Sequence, residues 1–200
     1  GNQAYTNQGG PAPNTGNQPG PPNAGAPSTG NQPNAPAVGG RVESPSSRYQ
    51  TVDKGLFTVG VPDNWRQLDQ QNGAWFAPEG AYGSANGQTV FTHAVNLGAV
   101  QTQARNLQQA SEEFIKGLTQ GAQLHTRGGI ERMDVDGRQG QIITFDNVNE
   151  ATQRPELVNI VTTQLRNGNL FYLIAVCPTD EYKNYQSTFL TILRSVRLKD

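Results

Sequence analysis

Apolar and polar residues change their spacing several times along this chain, and each change marks an element. Phe57, Val59 and Val61 alternate with Thr58 and Gly60. A period of two is that of a strand with one face on a core, and Pro62 stops the run because proline cannot donate to a ladder. Thr89 to Ala99 reads as a longer strand, with Val90, Thr92, Ala94 and Asn96 on one side and Phe91, His93, Val95 and Leu97 on the other. NLFYLIAV, Asn169 to Val176, is almost continuously apolar, which predicts a central strand covered on both faces. Three dipeptides of the Asn-Gly or Asp-Gly kind lie between such runs: Asn72-Gly73, Asp136-Gly137 and Asn167-Gly168. These pairs tolerate the positive φ angles of the tight hairpin turns that match strand twist. Three hairpins in one short chain predict a mainly antiparallel sheet.

Two segments carry the helical period. Leu107, Ala110, Phe114 and Leu118 form one stripe behind Asn106, a natural N-cap. After Pro178 a second helix is expected, capped by Thr179, with Asp180 and Glu181 near the positive end of its dipole. Its stripe is Tyr182, Tyr185, Phe189, Ile192 and Val196. Each helix needs a sheet face to cover, so the fold class is α+β: an antiparallel β-sheet with flanking helices, an α/β sandwich.

Composition divides the chain. The first 40 residues contain no charged side chain and almost no large apolar one, too little to offset the entropy of ordering them. Residues 1–45 are therefore expected to be a disordered Gly/Pro/Asn/Gln-rich linker, and residues 46–200 a single α/β domain. The near-repeat GNQP at Gly16 and Gly30 reads as low-complexity growth. Pro19, Pro21 and Pro22 have no flanking Arg or Lys that would favour a polyproline ligand. A linker implies something to be linked to, and the chain does not begin with Met, so the expectation is the distal part of a longer protein. The net charge of −1 argues against a nucleic-acid surface, which needs a basic stripe. No apolar run reaches the roughly 20 residues of a membrane helix, so no membrane insertion is expected. Cys177 is the only cysteine and leaves the redox compartment open. With no heptad pattern, the expected state is a monomer.

Candidate chemistry is sparse. His93 and His125 are far apart and no H-E-x-x-H or C-x-x-C occurs, so no metal is expected. Cys177 ends the most apolar strand, where a thiol is a small hydrophobe with a raised pKa. No serine sits in a G-x-S-x-G turn, and the glycine-rich GAYGSANG, Gly80 to Gly87, leads into a strand and not a helix N-terminus. DVDG at Asp134 starts like a calcium loop but lacks the later ligands, and reads as a turn. No catalytic residue and no cofactor are assigned. The tryptophans, Trp65 and Trp75, flank Asn72-Gly73 and read first as an aromatic cross-strand seam that stabilises a hairpin. The Gly80–Gly87 loop sets Glu79 and Tyr82 beside them. Trp65, Trp75, Glu79, Tyr82 and His93 are accordingly the candidate binding residues, and Trp65, Trp75, Tyr82 and Phe91 the candidate lining of a helix–sheet pocket.

The succession FTVGVPDNW, a hairpin, a long strand, the SEEFIKGL helix, two hairpins and a closing ILRSVRL resembles the PsbP/Mog/DcrB-like α/β/α module over Tyr49 to Leu198. VPDNW, FAPEGAYG and NLFYLIAVCPTDEY are similar to C-terminal tail domains that follow Ste24-like zinc metalloprotease domains in bacteria. The resemblance implies a non-catalytic accessory or interaction domain of an extracytoplasmic (periplasmic, bacterial-envelope) protein, whose partner is another protein or the parent catalytic domain. The alternative is a free-standing tethered carrier of a small apolar ligand. The H-E-x-x-H of that protease family has no counterpart here, so no catalytic residue is carried over.

Overall fold

Strand β11 (Leu170–Pro178) organises the molecule. Its side chains alternate between two separate cores: Phe171, Leu173, Ala175 and Cys177 enter one, and Leu170, Tyr172, Ile174 and Val176 enter the other. All nine of its residues are buried, as the unbroken apolar run predicts. The structure is a computed structural model and describes residues 40–120 and 124–200. The expected linker, residues 1–45, lies outside the described residues up to Val38 and Gly39. Of the remainder, Glu43 N donates to the Glu79 carbonyl at 3.1 Å and Val42 packs on the second core.

A seven-stranded antiparallel sheet runs in the order β3 (Trp65–Gln70), β4 (Gly73–Pro78), β7 (Ala94–Val100), β11, β10 (Pro155–Gln164), β9 (Arg138–Val148) and β8 (His125–Val135). On one face lie α2 (Tyr182–Ser195) and a small sheet of β1 (Tyr49–Asp53), β2 (Phe57–Pro62) and the C-terminal β12 (Arg197–Leu198). On the other lie α1 (Leu107–Thr119) and a hairpin of β5 (Tyr82–Ala85) and β6 (Gln88–Phe91). This is the α+β sandwich with mostly antiparallel strands and two helices.

Local signals decide some of these elements fully and others only in part, for definite physical reasons. Asn106 caps α1, its side chain accepting from Gln109 N at 2.9 Å, and Ala110, Phe114 and Leu118 are buried. Asp136 (φ 50) and Gly137 (φ 75) form the tight turn predicted for them. At the first hairpin only Asn72 (φ 64) is left-handed, and Gly73 already pairs with Gln70 inside β4. Glycine is required at 73 because any Cβ would overlap the Leu97 carbonyl oxygen of β7. The third signal gives a longer loop, Leu165 N donating to Asn169 O at 2.8 Å, in which only Gly168 (φ 89) is left-handed.

Three expectations are corrected. Gly80–Gly87 is not a plain loop, since Asn86 (φ 52) and Gly87 (φ 76) turn a fourth hairpin. The strand expected over Thr89–Ala99 is broken, because Thr92 bonds the Ala81 carbonyl through both its N–H (2.7 Å) and its hydroxyl (3.1 Å). β6 therefore stays with β5, and β7 joins the large sheet. Finally, Thr179 does not cap α2. Thr179–Glu181 is a 3₁₀ turn, and α2 begins after Glu181 without a side-chain cap.

Candidate functional site

The expected binding residues do not converge. Trp65 and Trp75 face opposite sides of the large sheet: Trp65 is in the core under α2, and Trp75 in the core under α1. In register they sit across from Pro78 and Leu68, so the expected seam between the two indoles does not form. Each is buried, at 3% and 1% exposure. Trp75 stacks on Phe91 at 4.1 Å between centroids, and Tyr82 leans on Phe91 at 6.3 Å. Glu79 is exposed and pairs with Arg66 at 3.1 Å. Burial and the Glu79 charge push the Tyr82 hydroxyl pKa up. The lining expected from Trp65, Trp75, Tyr82 and Phe91 is thus packed solid and split by the sheet.

His93 lies at the end of the sheet where β7 begins. Its ring is buried against Tyr185 of α2 at 4.8 Å, with Nδ1 2.8 Å from the Thr92 hydroxyl and Nε2 3.2 Å from Glu181. Burial holds its pKa below the ordinary histidine value, against the pull of Glu181. Arg154 bridges Asp180 and Glu181 at 2.9 and 3.1 Å, so this cluster pins the start of α2. Nearby, Glu156 is buried and accepts from Asn147 at 2.9 Å and Asn149 at 3.4 Å. Desolvation lifts its carboxyl from the ordinary 4.5 to about 7. Cys177 is buried, its thiol pushed up to about 12 by desolvation first and by Glu181 next. Such a thiol is a poor nucleophile. Among the described residues, no three His, Cys, Asp or Glu side chains are grouped to hold a metal, and no helix is long and apolar enough to cross a membrane.

An open concavity that combines apolar and polar side chains lies elsewhere. α2 covers only part of its face of the sheet, and a groove of about 230 Å³ remains between α2 and strands β8 to β11. Two cross-strand rows build its floor. Arg127, Thr144, Asn159 and Ala175 are successive register partners, and so are Glu131, Ile142, Val161 and Leu173. The first row is mostly polar: the Thr144 hydroxyl donates to Asn159 Oδ1 at 2.9 Å, and Asn159 Nδ2 donates to the Tyr182 oxygen at 3.3 Å. The second is apolar apart from Glu131 at the rim. The helix wall is Tyr182, Gln186, Phe189, Leu190 and Leu193, a stripe at helical spacing. The far wall is β8, where the register breaks between Arg127 and Glu131 and Gly128 takes a positive φ of 76°. Such bulges bend an edge strand.

The sequence gives Tyr182 and Phe189 only as part of the α2 stripe and does not mark the other groove residues. The signal was that α2 carries Leu190 and Leu193 as well as the expected stripe, a wider apolar arc than one contact needs.

The groove between helix and sheet sits on an antiparallel sandwich of strands and two helices. Several solved structures are similar to the chain. The chain is similar to cyanobacterial PsbP (CyanoP) from Synechocystis, at 17% identity over 82% of this chain and 98% of that one, with a TM-score of 0.50. It also matches the Ran-binding protein Mog1p of Saccharomyces cerevisiae (11% identity, 78% and 97% coverage, TM-score 0.49). A third match is LpqN, involved in cell envelope biogenesis of Mycobacterium tuberculosis (15%, 76% and 91%, TM-score 0.44). No family model and no curated relative matches the sequence. At 17% identity the likeness to CyanoP shows a PsbP-like fold and nothing beyond the fold.

Proposed function

We propose that this chain is a non-catalytic accessory domain of an extracytoplasmic bacterial protein, and that it acts by binding through the groove between α2 and the sheet. The observation that carries this reading is the groove itself, an open, partly apolar trench with a hydrogen-bonded polar row at one end. The potentially reactive groups, His93, Glu156 and Cys177, are buried away from it. A photo-cross-linker at Gln186, on the groove wall, tests it in the native host. Adducts at 186 that are absent from Asn184, exposed on the opposite side of α2, support the reading. Equal or no adducts at the two sites overturn it.

The finer part of the proposal is that residues 1–45 tether this domain behind a membrane metalloprotease domain, as the resemblance of VPDNW and FAPEGAYG to such tail domains implies. Intact mass, cell fraction and upstream sequence of the native polypeptide decide this: a membrane protein with H-E-x-x-H upstream supports it, and its absence refutes it. The groove also favours the second reading, a tethered carrier of a small apolar ligand, in place of a docking site for protein. In that case the Gln186 adducts are small molecules.

A further inference from the structure

We infer that the groove takes a single-chain amphiphile with an anionic, hydrogen-bond-accepting head, the head lying against Tyr182 and Arg127 and the alkyl chain crossing the row of Ile142, Val161 and Leu173 beside Leu190. This rests on the reading of the groove as the binding element, and adds the chemistry of what binds there.

Four observations give the class. The first is size. At about 230 Å³ the groove is smaller than the roughly 300–1,000 Å³ of sites for drug-sized ligands, so it suits a slender chain and not a ring system. The second is orientation. The polar and apolar rows are adjacent along the strands, two residues or about 7 Å apart, so a ligand lying along the strands meets polar groups at one end and apolar ones at the other. The third is hydrogen bonding. Asn159 spends its oxygen on Thr144 and its amide on the Tyr182 oxygen, which leaves the Tyr182 O–H as a donor. A donor wall selects an acceptor head. The fourth is charge. Arg127 stands at the polar end and Glu131 at the rim of the apolar end, so a negative head is favoured at the first and repelled at the second. Arg127 is held by Asp146 at 2.8 Å, but both side chains are about half exposed. An exposed pair of this kind contributes little, and exchanging Asp146 for a ligand carboxylate costs little.

The test uses the 200-residue chain, amide chemical shifts, and three probes sharing one tail: decanoate, decan-1-ol and decyltrimethylammonium, each below its micelle concentration. Decanoate is expected to shift amides around Thr144, Asn159, Leu173 and Leu190. Tyr182→Phe should weaken it about tenfold, the scale of a lost hydrogen bond to a charged group. Leu190→Glu should abolish it. Because Leu190→Glu risks the fold, Gln186→Trp, on an exposed position, provides a second block of the mouth. If decyltrimethylammonium or decan-1-ol binds in the groove as well as decanoate does, the head-group assignment is overturned while the groove reading stands. Shifts scattered over the surface, or none from any probe, overturn the amphiphile. In that event, Gln186 adducts from the cross-linking experiment still separate a groove that binds protein from one that binds nothing.

Discussion

Glu156 is a buried carboxyl whose two partners are both amides, and that makes its effect on stability predictable in sign. Asn147 and Asn149 each donate one hydrogen bond to it, and no cation faces it at ion-pair distance among the described residues. Desolvation therefore wins, and the folded-state pKa rises from 4.5 to about 7. The folded protein keeps this proton to higher pH than the unfolded chain does. Its contribution is fully present below about pH 4.5 and is lost as pH rises through about 7. At about 1.4 kcal/mol per pH unit, the whole loss is about 3 kcal/mol. Glu156→Gln removes the titration and keeps the shape. The glutamine oxygen can accept from one asparagine, but its NH₂ faces the other, at a pH-independent cost of about 1 kcal/mol. The variant is thus expected to be slightly less stable than the parent at pH 5 and more stable at pH 8.5, a swing of about 2.5 kcal/mol. His93 titrates with the opposite sign: its pKa is held below the ordinary value, so its contribution is lost as pH falls through that range. It is common to both proteins and cancels in the difference. Urea unfolding of parent and variant at pH 5 and 8.5 measures the swing. A difference that stays constant within about 0.5 kcal/mol, the usual scatter of such comparisons, would refute desolvation as the dominant effect on Glu156.

Other expectations follow from local geometry. Gly73→Ala drives a methyl into the Leu97 carbonyl, in the backbone of the neighbouring strand, and should cost more than about 3 kcal/mol. Gly129→Ala has open space and should stay within about 0.5 kcal/mol; equal effects in denaturant melts would contradict the packing argument. Asp200 pairs with Arg138 and accepts from Arg166 N at 2.5 Å, and these bonds hold its carboxyl well below the usual range. Asp200→Asn should therefore destabilise by about 1–3 kcal/mol at pH 7, an effect that fades as pH falls below about 4, read by thermal melts at pH 3 and 7. Both indoles are buried, so tryptophan emission should be blue-shifted and scarcely quenched by acrylamide. Emission like that of free tryptophan would contradict their placement.

What could be read from the sequence was whatever is decided within a few residues. Helix α1, its Asn106 cap and its buried stripe depend on neighbours three and four positions away. The continuous run of β11 states its own double burial. Turn dipeptides located hairpins but not their geometry, because Asn-Gly has more than one use. At Asn72-Gly73 the asparagine makes the turn, while the glycine admits strand β7, a requirement set by residues 24 positions away, at Leu97. Asn86-Gly87 carries the same signal, but GAYGSA before it lacks strand alternation. The break at Thr92 depends on the Ala81 carbonyl, which no local pattern announces. The groove was least legible. Its polar row joins Arg127, Thr144, Asn159 and Tyr182 from four elements, and only the register brings them into line.

The existence of that groove follows from a mismatch of widths. Seven strands at about 4.8 Å spacing span about 29 Å from first to last, and a helix about 10 Å across covers only two or three of them. On the face under α2, the small sheet β1-β2-β12 extends the cover on one side of the helix only, because β12 is the direct continuation of the chain after α2 and pairs with β2. Strands β8 to β10 are left beyond it. The edge of that exposed half is itself guarded: β8 carries Arg127, Glu131, Arg132 and Asp134 and is bulged at Gly128. Charges and bulges of this kind discourage a further strand from adding to an edge. The surface left open on this side is therefore the floor beside α2 and not the backbone of β8: Ile142, Val161 and Leu173 are its apolar part, and the hydrogen-bonded Thr144–Asn159–Tyr182 row its polar part.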